Sequence, residues 1–89
     1  MSEEELVEEF ASLFLKVGEI EDLMNYDRDF LRLEIQDEGS LLGRAYRRGV
    51  ARTKIRLRFD TLRFAVSGSP QAAEEMKEYL SDQIMSENA

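Results

Sequence analysis

Between Leu41 and Val66 the chain runs for 26 residues without a proline and with only two glycines, Gly43 and Gly49, before it meets Ser67-Gly68-Ser69-Pro70. That tetrapeptide reads as the end of one helix and the start of another. Gly68 suits the left-handed residue just past a helix end, Ser69 suits an N-cap, and Pro70 suits a first helical position, where a missing N–H loses nothing. In a chain of 89 residues so long an uninterrupted element leaves little room for a sheet. The reading is a single all-α domain over residues 1–89, with short helices over 2–38, a long basic helix over 40–67 and a short C-terminal helix over 69–86.

A strand pattern competes with this. Leu31, Leu33 and Ile35 alternate with Arg32, Glu34 and Gln36, and Ile55, Leu57 and Phe59 alternate with Lys54, Arg56 and Arg58, which is period two. A small α+β domain is the alternative. Against it, no hairpin dipeptide joins the runs, and Gly43 and Gly49 are weak breakers.

The N-terminal part divides by caps and spacing. Ser2 and Glu5 form a capping box, and Leu6, Phe10, Leu13, Phe14 and Val17 recur at three and four, predicting a helix from about Glu3 to Val17 that Gly18 ends. Ile20, Leu23 and Met24 predict the buried side of a short helix. Asn25-Tyr26-Asp27 breaks it, Asp27 caps the next helix, and Phe30, Leu31 and Ile35 continue helically. Gly39 is expected as a left-handed stop and Ser40 as the next cap. The final helix should bury Ala73, Met76, Leu80 and Ile84. Helix, short helix, tight turn, helix is the outline of a helix-turn-helix, and also of many small α-helical domains.

Charge separates along the chain. The net charge of −7 is the balance of −10 over residues 1–38, +7 over 39–64 and −4 over 65–89. On a helix at about 100° per residue, Arg44, Arg48, Arg52 and Arg56 form an i, i+4 row. The part after Lys54 has apolar residues on two sides: Leu57 and Phe64 on one, Ile55, Phe59, Leu62 and Val66 on the other. The second set is the expected subunit interface of a homo-oligomer. Two readings of the arginines stay open. They grip phosphates of a nucleic acid, with affinity that falls as salt rises, or they neutralise the protein's own acidic helices or an acidic partner. Tyr46 and Phe64 lie on the apolar stripe and are expected in the core.

With no Cys and no His, the chain has no disulfide, no thiolate or imidazole metal ligand and no Cys-His or Ser-His pair. No metal, cofactor, small-molecule substrate or enzymatic activity is expected. The N-terminus is acidic where a signal peptide would be basic, and no apolar run approaches the ~20 residues that a bilayer needs. A soluble protein of the cytoplasm, without membrane partners, is the expectation.

The string Gly43-Arg44-Ala45-Tyr46-Arg47-Arg48-Gly49-Val50-Ala51, and the later Leu62-Arg63-Phe64-Ala65-Val66-Ser67-Gly68-Ser69-Pro70-Gln71-Ala72-Ala73, resemble the second half of the small terminase subunits of tailed bacteriophages. The resemblance implies that the upstream part is a helix-turn-helix, with Glu19 to Met24 and Arg28 to Gln36 as its two helices. It also implies that the protein recognises phage DNA inside a bacterial host, assembles into a ring and regulates a large ATPase and nuclease subunit. The chain has no GxxxxGK[ST] phosphate loop of its own. One departure from the pattern matters: the segment in the recognition position carries Asp29 and Glu34 beside Arg28, Arg32 and Gln36, and such charge is unfavourable near phosphates. The expected DNA contacts are therefore Arg28 and Arg32 and, more heavily, Arg44, Arg47, Arg48 and Arg52, with Arg56 continuing the row. A helix-turn-helix transcriptional regulator and a protein-interaction module without DNA binding are the alternatives.

Overall fold

The computed structural model describes residues 1–87. They form five helices, α1 (Glu3–Ser12), α2 (Val17–Met24), α3 (Phe30–Gln36), α4 (Leu41–Val66) and α5 (Pro70–Glu87), and no strand occurs among the described residues. The fold is all-α. The alternating runs 31–36 and 54–59 lie in α3 and α4, because i→i−4 hydrogen bonding continues through both and nothing pairs with them as a strand.

The chain divides into two compact units at Lys54–Ile55, inside the continuous helix α4. In the first unit Val7 and Ala11 of α1, Ile20 of α2, Leu31 of α3 and Ala45 of α4 form the buried core, and Phe10, Leu15, Met24, Ile35, Leu42, Tyr46 and Val50 pack around it.

The helix ends differ from the sequence expectation in an instructive way. The capping box at Ser2 and Glu5 is present, but α1 ends at Ser12, not Val17, and Gly18 lies within α2. The terminator is Phe14, with φ of 59°. Its N–H donates to the Ala11 carbonyl while that of Leu15 donates to Phe10, the paired 5→2 and 6→1 bonds of a Schellman ending. Leu13 is consequently exposed and Phe14 half-exposed, and the buried positions of α1 are Val7 and Ala11. Asn25 ends α2 in the same way, left-handed at φ 58°, with Asn25 N–H bonded to Asp22 and Tyr26 N–H to Glu21. Gly68 ends α4 likewise, at φ 101°, with Gly68 N–H on Ala65 and Ser69 N–H on Phe64.

Helix starts show a second departure. Ser40 Oγ accepts from Gly43 N–H at 3.0 Å and Ser69 Oγ from Ala72 N–H at 3.2 Å, as the sequence suggests. Asp27 does not cap α3. Its N-cap is Asp29, left-handed at φ 68° and without a side-chain bond to the helix. The buried Glu21 takes over this role from α2, its Oε2 accepting from Leu31 N–H at 2.9 Å. Gly39 is not left-handed; Gly68 is the only glycine with positive φ among the described residues. Leu23 is exposed while Ile20 is buried, so α2 presents a narrower apolar face than its composition suggests.

Gly43 and Gly49 are contact points rather than breaks. A Cβ at Gly43 would lie 2.2 Å from the Glu34 carbonyl oxygen, and one at Gly49 would lie 2.2 Å from that of Glu8 and 2.8 Å from Ala11 Cβ. Six residues of helix turn through about 600°, so the two glycines face directions about 120° apart. The front of α4 therefore rests between the end of α3 and the middle of α1.

In the second unit the hairpin turns at Gly68. The Arg58 guanidinium lies 4.4 Å from the Tyr79 ring centroid, a cation–π contact at similar distances from the turn on both arms, so α5 runs back along α4. Among the described residues of this unit the only buried side chain is Ala72, not the expected Ala73; Ala73 and Met76 are half-buried and Leu80 and Ile84 exposed. Two helices without a third have too few contacts to cover residues of that size.

Gly49→Ala should destabilise the protein by about 1–3 kcal/mol, since α1 and α4 must move apart. Gly18→Ala, where nothing lies within 4 Å of the added methyl, should instead stabilise by about 0.5 kcal/mol. Urea denaturation of both variants checks the opposite signs.

Candidate functional site

All seven arginines expected to contact DNA lie at the surface, but their partners divide them. Arg48 Nη1 donates to Glu8 Oε1 at 2.8 Å. Arg52 Nη1 donates to Glu8 Oε2 at 2.7 Å and to Glu9 Oε1 at 3.0 Å. Both glutamates are on α1, and Gly49 sets the arrangement: because the α4 backbone touches α1 at Glu8, the residues one before and three after it project over that carboxylate. The Glu8 side chain keeps 20% of its exposure, against 58% for Arg48 and 48% for Arg52.

The electrostatics follow this geometry. The hydrogen bond from Arg48 chiefly holds the Glu8 carboxyl below its ordinary value, with desolvation opposing and Arg52 assisting. Glu9 and then Glu8 push the Arg52 guanidinium further up. Beside them Thr53 Oγ1 donates to the Ser12 carbonyl, closing the end of α1 against α4. Arg47 is engaged differently, its Nη1 donating to the Ile35 carbonyl at 2.7 Å. That bond satisfies one of the free carbonyls of the last turn of α3 and places positive charge at the negative end of its dipole.

Arg28 and Arg32 stand over an open depression beside the α2–α3 turn, lined also by Lys16, Glu19, Asp22 and Asp29. Arg32 Nε is 3.6 Å from Asp29 Oδ1, with both side chains more than half exposed. Mixed signs make this a poor cradle for phosphate. At its edge burial, and then the hydrogen bond to Glu3, push the Tyr26 phenol well above its ordinary value. Among the described residues Arg28, Arg44 and Arg56 have no ion pair within 4.0 Å.

The expected interface residues Ile55, Phe59, Leu62 and Val66 are between 45% and 79% exposed. Leu57, Phe64, Leu80, Ile84 and Met85 of the same unit are exposed too, so Phe64 is not a core residue of the isolated chain, whereas Tyr46 packs on the first core as expected. Sequence reasoning missed Glu8, Glu9 and Glu21. Glu8 and Arg48 are 40 residues apart, and no local pattern connects them; an acidic first helix opposite a basic long one was the only available signal.

Among the described residues no group of His, Cys, Asp and Glu could hold a metal ion, and no helix is long and apolar enough to cross a membrane. No model of a known protein family, no curated protein and no solved structure matches the chain.

Because the Glu8 carboxyl is depressed in the folded state, its contribution to stability is complete above the ordinary carboxylate range and is lost as pH falls through the lowered value. The stability difference between the wild type and Glu8→Gln should therefore be largest near about pH 7 and shrink in acid below about pH 4. Urea midpoints of the two proteins across that range check it; a difference independent of pH would show that the ion pairs contribute nothing.

Proposed function

We propose that this protein is a non-enzymatic DNA-handling adaptor that works as a homo-oligomer, in the manner of the phage small terminase subunits its sequence resembles. In this reading the hairpin assembles the subunits. The first unit, whose α2 and α3 follow the helix-turn-helix order, faces phage DNA in a bacterial host, and the assembly regulates a large packaging subunit. The observation that carries the reading is the uncovered hairpin. Ile55, Phe59, Leu62 and Val66, with Leu57 and Phe64 on another side of α4, are exposed together in a unit that, among the described residues, buries only Ala72. An apolar surface of that kind marks an interaction site, and two-sided exposure suits a helix with neighbours on both sides, as in a closed ring. Arg28 and Arg44 of the first unit, without ion pairs among the described residues, are the first DNA contacts in this reading, Arg44 ahead of Arg28 because Arg28 shares its depression with carboxylates.

A second reading, a protein-interaction module that does not bind DNA, is favoured by one observation: Arg48 and Arg52, two of the strongest candidates, already hold Glu8 and Glu9. A dimeric transcriptional regulator is the third, and subunit number separates it from the first.

Light scattering on the purified protein should give an assembly larger than a tetramer, and Phe59→Asp with Leu62→Asp should reduce it to monomers. A monomeric wild type at high concentration sinks the assembly. DNA retention should weaken steeply between about 50 and 300 mM salt. Charge reversal at Arg28 and Arg44 should lower it at least tenfold; no retention at low salt would leave the interaction module as the surviving reading.

A further inference from the structure

We infer that Arg48 and Arg52 form a phosphate-binding pair held in reserve by Glu8 and Glu9, so that α1 acts as a built-in competitor of DNA; this rests on the DNA-handling reading above. The carboxylates occupy the places that phosphate oxygens would take. Three charge-assisted contacts of 2.7–3.0 Å converge on two guanidinium groups one helical turn apart, the geometry in which arginines meet anionic oxygens. The backbone that carries the competitor is fixed, and of its two carboxylates Glu8 is the more covered, at 20% side-chain exposure against 47% for Glu9. Val7 and Ala11 anchor α1 in the core, and the Glu8 backbone lies against Gly49, where not even a methyl group fits. Arg48 and Arg52, by contrast, are long and about half exposed, and can turn outward without disturbing that contact.

The energetic consequence is a threshold. A phosphate that takes Arg48 or Arg52 replaces an existing charge-assisted bond instead of filling an empty position, so the net gain is a difference of two similar terms. Arg44 has no such contact to break. A single subunit then binds DNA weakly through its unpaired cations, and the reserve pair is recruited only where phosphates are held close, as on DNA already gripped by neighbouring subunits.

The test is binding of a random-sequence DNA duplex by the full-length double variant Glu8→Gln, Glu9→Gln, followed by fluorescence anisotropy across a salt series, with circular dichroism to verify helicity. Two released arginines should steepen the log–log salt dependence by up to about two, at about 0.9 per phosphate contact, so that between ~200 and ~50 mM salt the double variant gains about tenfold more affinity than the wild type. A control with the same change of net charge, Glu4→Gln with Glu38→Gln, should leave the slope unchanged. Adding Arg48→Ala and Arg52→Ala to the double variant should abolish the gain. If the double variant loses helicity, Glu9→Gln alone, which leaves Glu8 in place, should give a smaller steepening of the same sign. Equal slopes in the wild type and the Gln variants overturn the inference while leaving DNA binding intact, as does a gain that survives loss of both arginines. Absence of binding by every protein at low salt overturns it together with the DNA-handling reading.

Discussion

The close approach of α4 to α1 at Gly49 governs much of the first unit. A backbone-to-backbone contact of this kind is possible only where a side chain is missing, and Gly49 meets the Glu8 carbonyl and the Ala11 methyl at distances that a Cβ would violate. The depth of that contact lets small residues, Ala11 and Ala45, be fully buried. It brings Thr53 onto the carbonyl of Ser12 and projects Arg48 and Arg52 over Glu8 and Glu9. Exposed ion pairs stabilise a fold little, so these pairs are a consequence of the helix contact more than its cause. Gly43 does the same against the end of α3, with Arg47 satisfying the Ile35 carbonyl nearby.

Helix ends are the second organising feature. α1, α2 and α4 all stop through the same pair of backbone bonds, with Phe14, Asn25 and Gly68 in turn as the left-handed residue. Gly68 takes that conformation at no steric cost and Asn25 at little, whereas Phe14 must be held there by its surroundings. Leu15 and Phe10, joined by the 6→1 bond of that ending, both pack on the core, and this apolar contact compensates for an unfavourable residue. Glu21 shows the same dependence on context, since its carboxylate caps α3 from a neighbouring helix where Asp29 leaves the position vacant.

The two parts of α4 differ in what they lack. Before Ile55 the helix turns glycines, Ala45, Tyr46 and Val50 toward a formed core, and its cations are partly consumed by carboxylates and a carbonyl. From Ile55 onward its large apolar side chains are exposed, and α5 covers little of them. In the first half Arg47, Arg48 and Arg52 are engaged while Arg44 and Lys54 have no ion pair among the described residues, and the second half lacks apolar cover.

Much of this was legible in the residues because it is local. The helical class, the Ser2–Glu5 box, the Ser40 and Ser69 caps, the Gly68 stop, the Asn25 break and the change of character along the long helix all depend on neighbours within a few positions, and each lies where the residue pattern puts it. The features that were not legible depend on residues far apart in the chain. Phe14 as a terminator, Glu21 as a cap, Gly43 and Gly49 as contacts and the pairing of Glu8 with Arg48 and Arg52 arise only when helices meet. Amino-acid identity sets how a segment can turn and which face is apolar. Which backbone touches which, and therefore which arginines are already paired, depends on packing among α1, α3 and α4.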